Sequence, residues 1–163
     1  MAVVAEKAKK RTADVQAYLD AVEGGLGKHI YVSLLGLKTY DTASLHQKVK
    51  EGLSFASLER FRRTFDLSAV TVAEVLHIPT RTFHRRREEG RLRPDESDRL
   101  VRLSKLLGKT LELFEGDLDA TKVWLNSPLS ALGGARPIEL AQTEPGANEV
   151  ESLIGRLEHG VFP

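Results

Sequence analysis

The stretch Thr71-Val-Ala-Glu-Val-Leu-His-Ile-Pro-Thr-Arg-Thr-Phe-His-Arg-Arg-Arg-Glu-Glu-Gly90 constrains this chain more than any other, because it reads as two short helices joined by a tight turn. Thr71 followed by Glu74 has the form of a capping box. Val72, Ala73, Val75 and Leu76 give the first helix an apolar face, with a small residue where a partner helix must approach. Pro79 disfavours helical backbone at Ile78, Thr80 is a good N-cap, and Arg81 to Glu89 continue as a second helix that Gly90 ends. With Phe83 anchored inward, Arg81, His84 and Arg85 lie on other faces of that helix, and Arg86, Arg87, Arg91 and Arg93 extend the basic run. A helix of this kind suits the major groove of double-stranded DNA. The placement assigns Thr80, Arg81 and Arg85 to base edges, and Thr82, Arg86 and Arg87 to phosphates, with His84 beside them.

Two positions depart from the usual helix-turn-helix pattern. His77 stands where the turn generally has Gly, and Arg86 stands where a second apolar anchor is common. His tolerates a left-handed backbone better than β-branched residues do, and Arg86 is expected to lay its stem on the core while its guanidinium reaches a phosphate. The competing reading is an ordinary helix pair whose Arg run is only a solvated face.

Charge separates the two readings further. Residues 1–93 carry 17 Lys and Arg against 11 Asp and Glu, a net +6, whereas residues 94–163 carry 7 against 12, a net −5. A basic half suits a phosphate backbone, and an acidic half is repelled by it and is left to face a protein. At 163 residues and 41% hydrophobic, the chain is long and apolar enough for one large or two small domains. The absence of Cys excludes disulfides, thiolate catalysis and Cys-ligated metal, and no stretch is apolar for long enough to span a bilayer, so a cytoplasmic location is the default expectation. Met1 to Arg11 is Lys-rich without the apolar core of a signal peptide and reads as an arm.

Elsewhere the periodicity predicts an all-α chain. Val15, Tyr18, Leu19 and Val22 have helical spacing over 13–22, ahead of Gly24-Gly25. Ile30 to Leu35 is short enough to leave strand and helix open, with irregular or helical structure the expectation. Helices are expected over 44–51, over 54–65 with Ser54 as cap and Phe55, Leu58, Phe61 and Phe65 inward, over 95–115, over 117–126, as a turn over 137–142, and from Pro145-Gly146 through Leu157. Arg60, Arg62 and Arg63 line flanks that could touch DNA backbone. Leu100, Leu103, Leu107, Leu111 and Phe114 make one face of the long helix continuously apolar, suited to packing within the domain or to a seam with a second copy. Nothing assembles a catalytic or metal site. No His pair has i, i+4 spacing around a Glu, no Ser sits in a nucleophile elbow, and Gly133-Gly134 lacks the Lys and Ser or Thr of a phosphate loop, so no cofactor or enzymatic activity is expected.

In their order along the chain, Gly52-Leu-Ser-Phe-Ala-Ser-Leu-Glu-Arg60, Ile78-Pro-Thr-Arg-Thr-Phe-His-Arg-Arg86, Glu96-Ser-Asp-Arg-Leu-Val-Arg-Leu103, Trp124-Leu125, Gly133-Gly-Ala-Arg-Pro-Ile-Glu-Leu140 and Leu157-Glu-His-Gly-Val-Phe162 resemble the antitoxins of the Xre/MbcA/ParS family. Residues 1–40, where the resemblance is weakest, read as an N-terminal arm and adaptor helix; the resemblance implies a Cro-like helix-turn-helix DNA-binding domain over 41–93, and a small helical toxin-binding and dimerisation domain over 94–163. It also implies a RES-domain toxin that depletes NAD as partner, neutralised by covering its active site, and repression of the chain's own operon by a homodimer on operator DNA. The chain's end fits such a role. Arg156 and Glu158 would rim the contact, Val161 and Phe162 would supply the buried anchor, and Glu158, His159 and the carboxylate of Pro163 would meet cations of the NAD pocket. On composition alone, a tail folded back on its own core is an equal reading, and a stand-alone helix-turn-helix repressor without a toxin is the alternative function.

Overall fold

A computed structural model describes residues 29–38 and 41–161. The expected helix over 13–22, the Lys-rich arm, Phe162 and Pro163 lie outside the described residues. Among those described, the chain forms nine α-helices, one 3-10 turn and no strand, so the all-α expectation holds. The helices are α1 (Ile30–Leu34), α2 (Thr42–Glu51), α3 (Phe55–Thr64), α4 (Ala69–Val75), α5 (Thr80–Glu89), α6 (Pro94–Leu113), α7 (Leu118–Asn126), α8 (Pro137–Leu140) and α9 (Glu144–Glu158), with the 3-10 turn at Ser130–Leu132. The run at Ile30 is therefore helical.

Side-chain caps begin most of these elements. Asp41, Ser54, Asp117 and Thr143 each accept the backbone N–H three residues on, which satisfies one of the amides a helix start leaves open. Two expected starts shift by a few residues. The cap of α4 is Ser68, which accepts from the Thr71 amide at 3.0 Å, so Thr71 is the third helical residue. An extra turn before Thr71 becomes possible because Ser68 already sits in extended backbone. In α5 the N-cap is Pro79, whose φ of −55° and carbonyl bond to the Phe83 amide (2.8 Å) start the helix one residue before the cap assigned to Thr80.

The long helix α6 is the spine. α1, α2, α7 and α9 all pack on it. Leu100, Leu107 and Leu111 are fully buried and Leu103 is 4% exposed, so the apolar stripe is spent inside the chain and is not available as a seam for a second copy. Gly108 lets α1 approach closely, since a Cβ there would stand 2.8 Å from Ile30 Cγ2. α9 lies beside α6 and runs the same way, with Arg102 near Glu144 (3.9 Å) and Lys109 paired with Glu151 further along.

The helix pair α4–α5 is held in place by a clamp. Gly52 has a φ of +87°, and a Cβ on it would be 2.1 Å from the Leu92 carbonyl oxygen, so only Gly permits the close crossing of 52–55 over 90–92. There the Leu92 amide donates to Leu53 O (2.8 Å), the Phe55 amide to Gly90 O (2.9 Å), and the buried Leu53 amide to Ser97 Oγ (2.8 Å).

Candidate functional site

The helix-turn-helix consists of α4, the turn Leu76–Pro79 and α5. His77 adopts the left-handed conformation (φ 53°) in place of the usual Gly, and its Nε2–H donates to the carbonyl of Gln142, between α8 and α9. The turn of the reading unit is thereby tied to the C-terminal half.

Phe83 is buried against Phe55 in an edge-on pair, centroids 5.2 Å apart, which fixes the inward face of α5. Arg81 and Arg85 stand one helical turn apart opposite Phe83. Arg81 is exposed and has no ion-pair or hydrogen-bond partner among the described residues, and Arg85 only approaches Glu89 at 3.9 Å with its side chain 57% exposed. Thr80 and His84 are exposed and Thr82 is half-buried beside them.

The other two arginines are placed differently. Arg86, expected on a phosphate, is buried: its Nε donates to Glu96 at 2.8 Å and its Nη1 to Glu89 at 3.0 Å. Its hydrogen bond to Glu96 raises its pKa above the ordinary arginine value, against the opposing effect of burial. Once this guanidinium leaves water it needs a carboxylate, and Glu96 supplies one from the first turn of α6 while also accepting the Arg93 amide at 2.8 Å. Arg86 is thus a fastening between α5 and α6. Arg87 is on the side of Phe83, its guanidinium 5.6 Å from the Phe83 ring centroid and 5.7 Å from that of Phe55, with Glu59 at 3.8 Å and its side chain 47% exposed. Of the flanking cations on α3, Arg62 is committed to Glu59 through two 3.0 Å bonds, and Arg60 donates to Ser33 O.

A second region closes the far end of α6. Phe114 and Trp124 pair there, centroids 6.1 Å apart, and α9 ends in a turn in which Gly160 takes a φ of +67° and the Val161 amide donates to Arg156 O (2.8 Å). Val161 is 57% exposed, so at that residue the tail is not folded onto the core. Glu158 and His159 are exposed. Arg156 reaches Glu149 at 3.5 Å, and its Nε is buried without a hydrogen-bond partner among the described residues. Glu112 lies close by: partial burial raises its pKa first, then the charge of Glu158, with Lys109 acting the other way.

Two family models match the chain: the Antitoxin Xre-like helix-turn-helix domain over residues 44–105, and the Antitoxin Xre/MbcA/ParS C-terminal toxin-binding domain over residues 110–160. Antitoxin Xre of Yersinia enterocolitica is 35% identical over 129 residues, which cover 78% of this chain and 87% of that protein. The chain belongs to the Xre family of antitoxins. Antitoxin Xre of Photorhabdus laumondii is 29% identical over 128 residues, 78% of this chain and 86% of that protein. The Prs ADP-ribosylating antitoxin of a Sphingobium species is 28% identical over 123 residues, 70% of this chain and 77% of that protein. Within this Xre frame the two matched regions meet on one helix, α6, whose start holds Arg86 through Glu96 and whose end adjoins the tail. Both the His77–Gln142 bond and the Arg86–Glu96 pair escaped sequence reasoning. Glu96 at the third position of α6 was legible as a helix-start carboxylate, but its partner ten residues earlier was not.

Proposed function

We propose that this antitoxin neutralises a RES-domain, NAD-depleting toxin by covering its active site with the C-terminal tail, and that it represses its own operon as a homodimer on operator DNA. The exposed Val161, turned out of α9 by left-handed Gly160 at the end of the toxin-binding match, carries the toxin half of this reading. A partner that handled NAD would hold its pyrophosphate with cations, and the exposed Glu158 carboxylate has the complementary charge. The Sphingobium relative's name attaches it to ADP-ribosylation, which also transfers a group taken from NAD. For DNA, Arg81 and Arg85 are the base-reading pair and Thr80, Thr82 and His84 their neighbours, while Arg86 is withdrawn from the phosphate set.

The deciding experiment deletes residues 159–163 and co-expresses the shortened chain with the toxin. Toxicity should return while thermal stability and DNA binding stay unchanged. A shortened chain that melts at lower temperature and still neutralises places the tail in the core and overturns the assignment. The homodimer has its own test. One short recognition helix reads few base pairs, so paired half-sites are expected, and sedimentation should find two chains per operator. A single chain at all concentrations, free and on DNA, would contradict it.

A further inference from the structure

A groove of about 700 Å³ opens where α1, the end of α4, α6 and the start of α9 meet. Its floor is apolar, with Ile30, Val75, Leu103, Leu106, Ala141 and Ala147, and basic side chains of α6 stand along its edge. Arg99, Arg102, Lys105 and Lys109 outnumber the lining carboxylates Glu112, Glu144 and Glu151. Two of these cations retain donor capacity. Lys105 lies over the Tyr31 ring at 5.1 Å with no carboxylate partner among the described residues, and Arg99 Nε is buried without a hydrogen-bond partner among them.

His29, where the described chain begins, is itself part of the groove wall, and α1 after it is pinned to α6 at Gly108. The preceding sequence has the complementary composition. Residues 13–23 contain three acids and no Lys or Arg, and Val15, Tyr18, Leu19 and Val22 repeat at i, i+3, i+4 and i+7. On a helical projection Asp14 and Glu23 flank that apolar stripe on either side. Residues 1–12, by contrast, are net basic and would meet like charge.

We propose that residues 13–23 of the same chain dock as an amphipathic helix in this groove, with Val15, Tyr18, Leu19 and Val22 on its apolar floor and Asp14 or Glu23 facing Lys105. The geometry allows it. Five residues, Gly24 to Lys28, separate the segment from His29 and span about 17 Å when extended, and a helix of this length is roughly 15 Å long. Tethering makes a weak contact sufficient: a short flexible linker gives an effective concentration in roughly the millimolar range, so a groove that binds the free segment no better than that is still about half occupied. Because Val75 and His77 of the reading unit and Gln142 of the toxin-binding half all line the groove, the docked segment would cover the seam between the two activities.

The chain has no Cys, so a pair of introduced thiols reports on one distance alone. In the full-length protein, Leu19→Cys with Ala147→Cys should form a disulfide within one chain under mild oxidation, read as a faster-migrating monomer on a non-reducing gel. Leu19→Cys with Asn126→Cys should not. Hydrogen exchange of residues 13–23 should be slow in the unmodified chain and at least tenfold faster in Leu19→Asp, with operator binding retained. A covalent dimer from the first pair would overturn the proposal in favour of docking on a second copy. Equal cross-linking of both pairs, or none with fast exchange throughout, would overturn it outright.

Discussion

The two ends of α6 treat polar groups in opposite ways. At its start, Glu96 accepts from both Arg86 and the Arg93 amide, Arg86 also holds Glu89, and Ser97 takes the Leu53 amide. At its end, Glu112 and Glu158 face each other with like charge and Val161 stands in solvent. Burying a charge without a counter-charge costs free energy, so a junction that holds the fold together pairs the charges it buries, as Arg86 and Glu96 are paired here. An end that leaves charge and apolar surface unmatched is suited to a partner. That contrast separates a structural arginine from the residues proposed for the toxin contact where composition alone would class both as charged surface.

Breaking the junction should have the largest effect. Arg86→Ala strands the Glu96 carboxylate and is expected to cost about 3–5 kcal/mol in denaturant unfolding. The double replacement Arg86→Met with Glu96→Leu should cost less than Arg86→Ala, even though the Arg93 amide loses its acceptor at about 1 kcal/mol. A double variant no more stable than Arg86→Ala would show that the pair is not what fastens α5 to α6.

Next in size are the outward arginines of the same helix. Arg81→Ala and Arg85→Ala should each weaken cognate DNA binding by about 1–3 kcal/mol, with unfolding free energy within roughly 0.5 kcal/mol of the parent. Competition between operator and random duplex at fixed salt checks the assignment, since equal loss on both would remove these residues from base reading.

The smallest effect sharpens the other end. The Glu112 carboxyl is raised in the folded chain, so its charged form is disfavoured there and the protein gains stability as pH falls through that folded value toward the ordinary carboxylate range. Glu112→Gln should therefore melt at a higher temperature than the parent at pH 7, with the difference closing as pH falls. Glu158→Gln should shift the Glu112 titration downward. An unchanged titration would mean that burial alone sets it.

Much of this molecule was legible in order along the chain. Ser54 as cap, the inward stripe Phe55, Leu58, Phe61 and Phe65, Gly90 as left-handed stop, and the tolerance of His77 for positive φ all follow from neighbours within one turn. The misplaced caps at Thr71 and Thr80 belong to the same class, because more than one nearby residue could begin the helix and only the packed chain chooses between them. Arg86 is a different kind of miss. Sequence spacing put it on the flank of α5, where a phosphate and a buried carboxylate are equally good partners for a guanidinium.

By itself, then, the sequence determined the helices, their apolar faces, the basic reading helix and the split in charge, since caps, periodicity and composition act over a few residues and need no knowledge of what lies across the core. Which long-range partners meet was decided only in three dimensions. Glu96 reaches back to Arg86, Gln142 meets His77 across 65 positions, and the apolar stripe of α6 is consumed by α1, α7 and α9. A buried charge or an apolar stripe demands cover without specifying its source, and that choice is made by how all the helices pack at once.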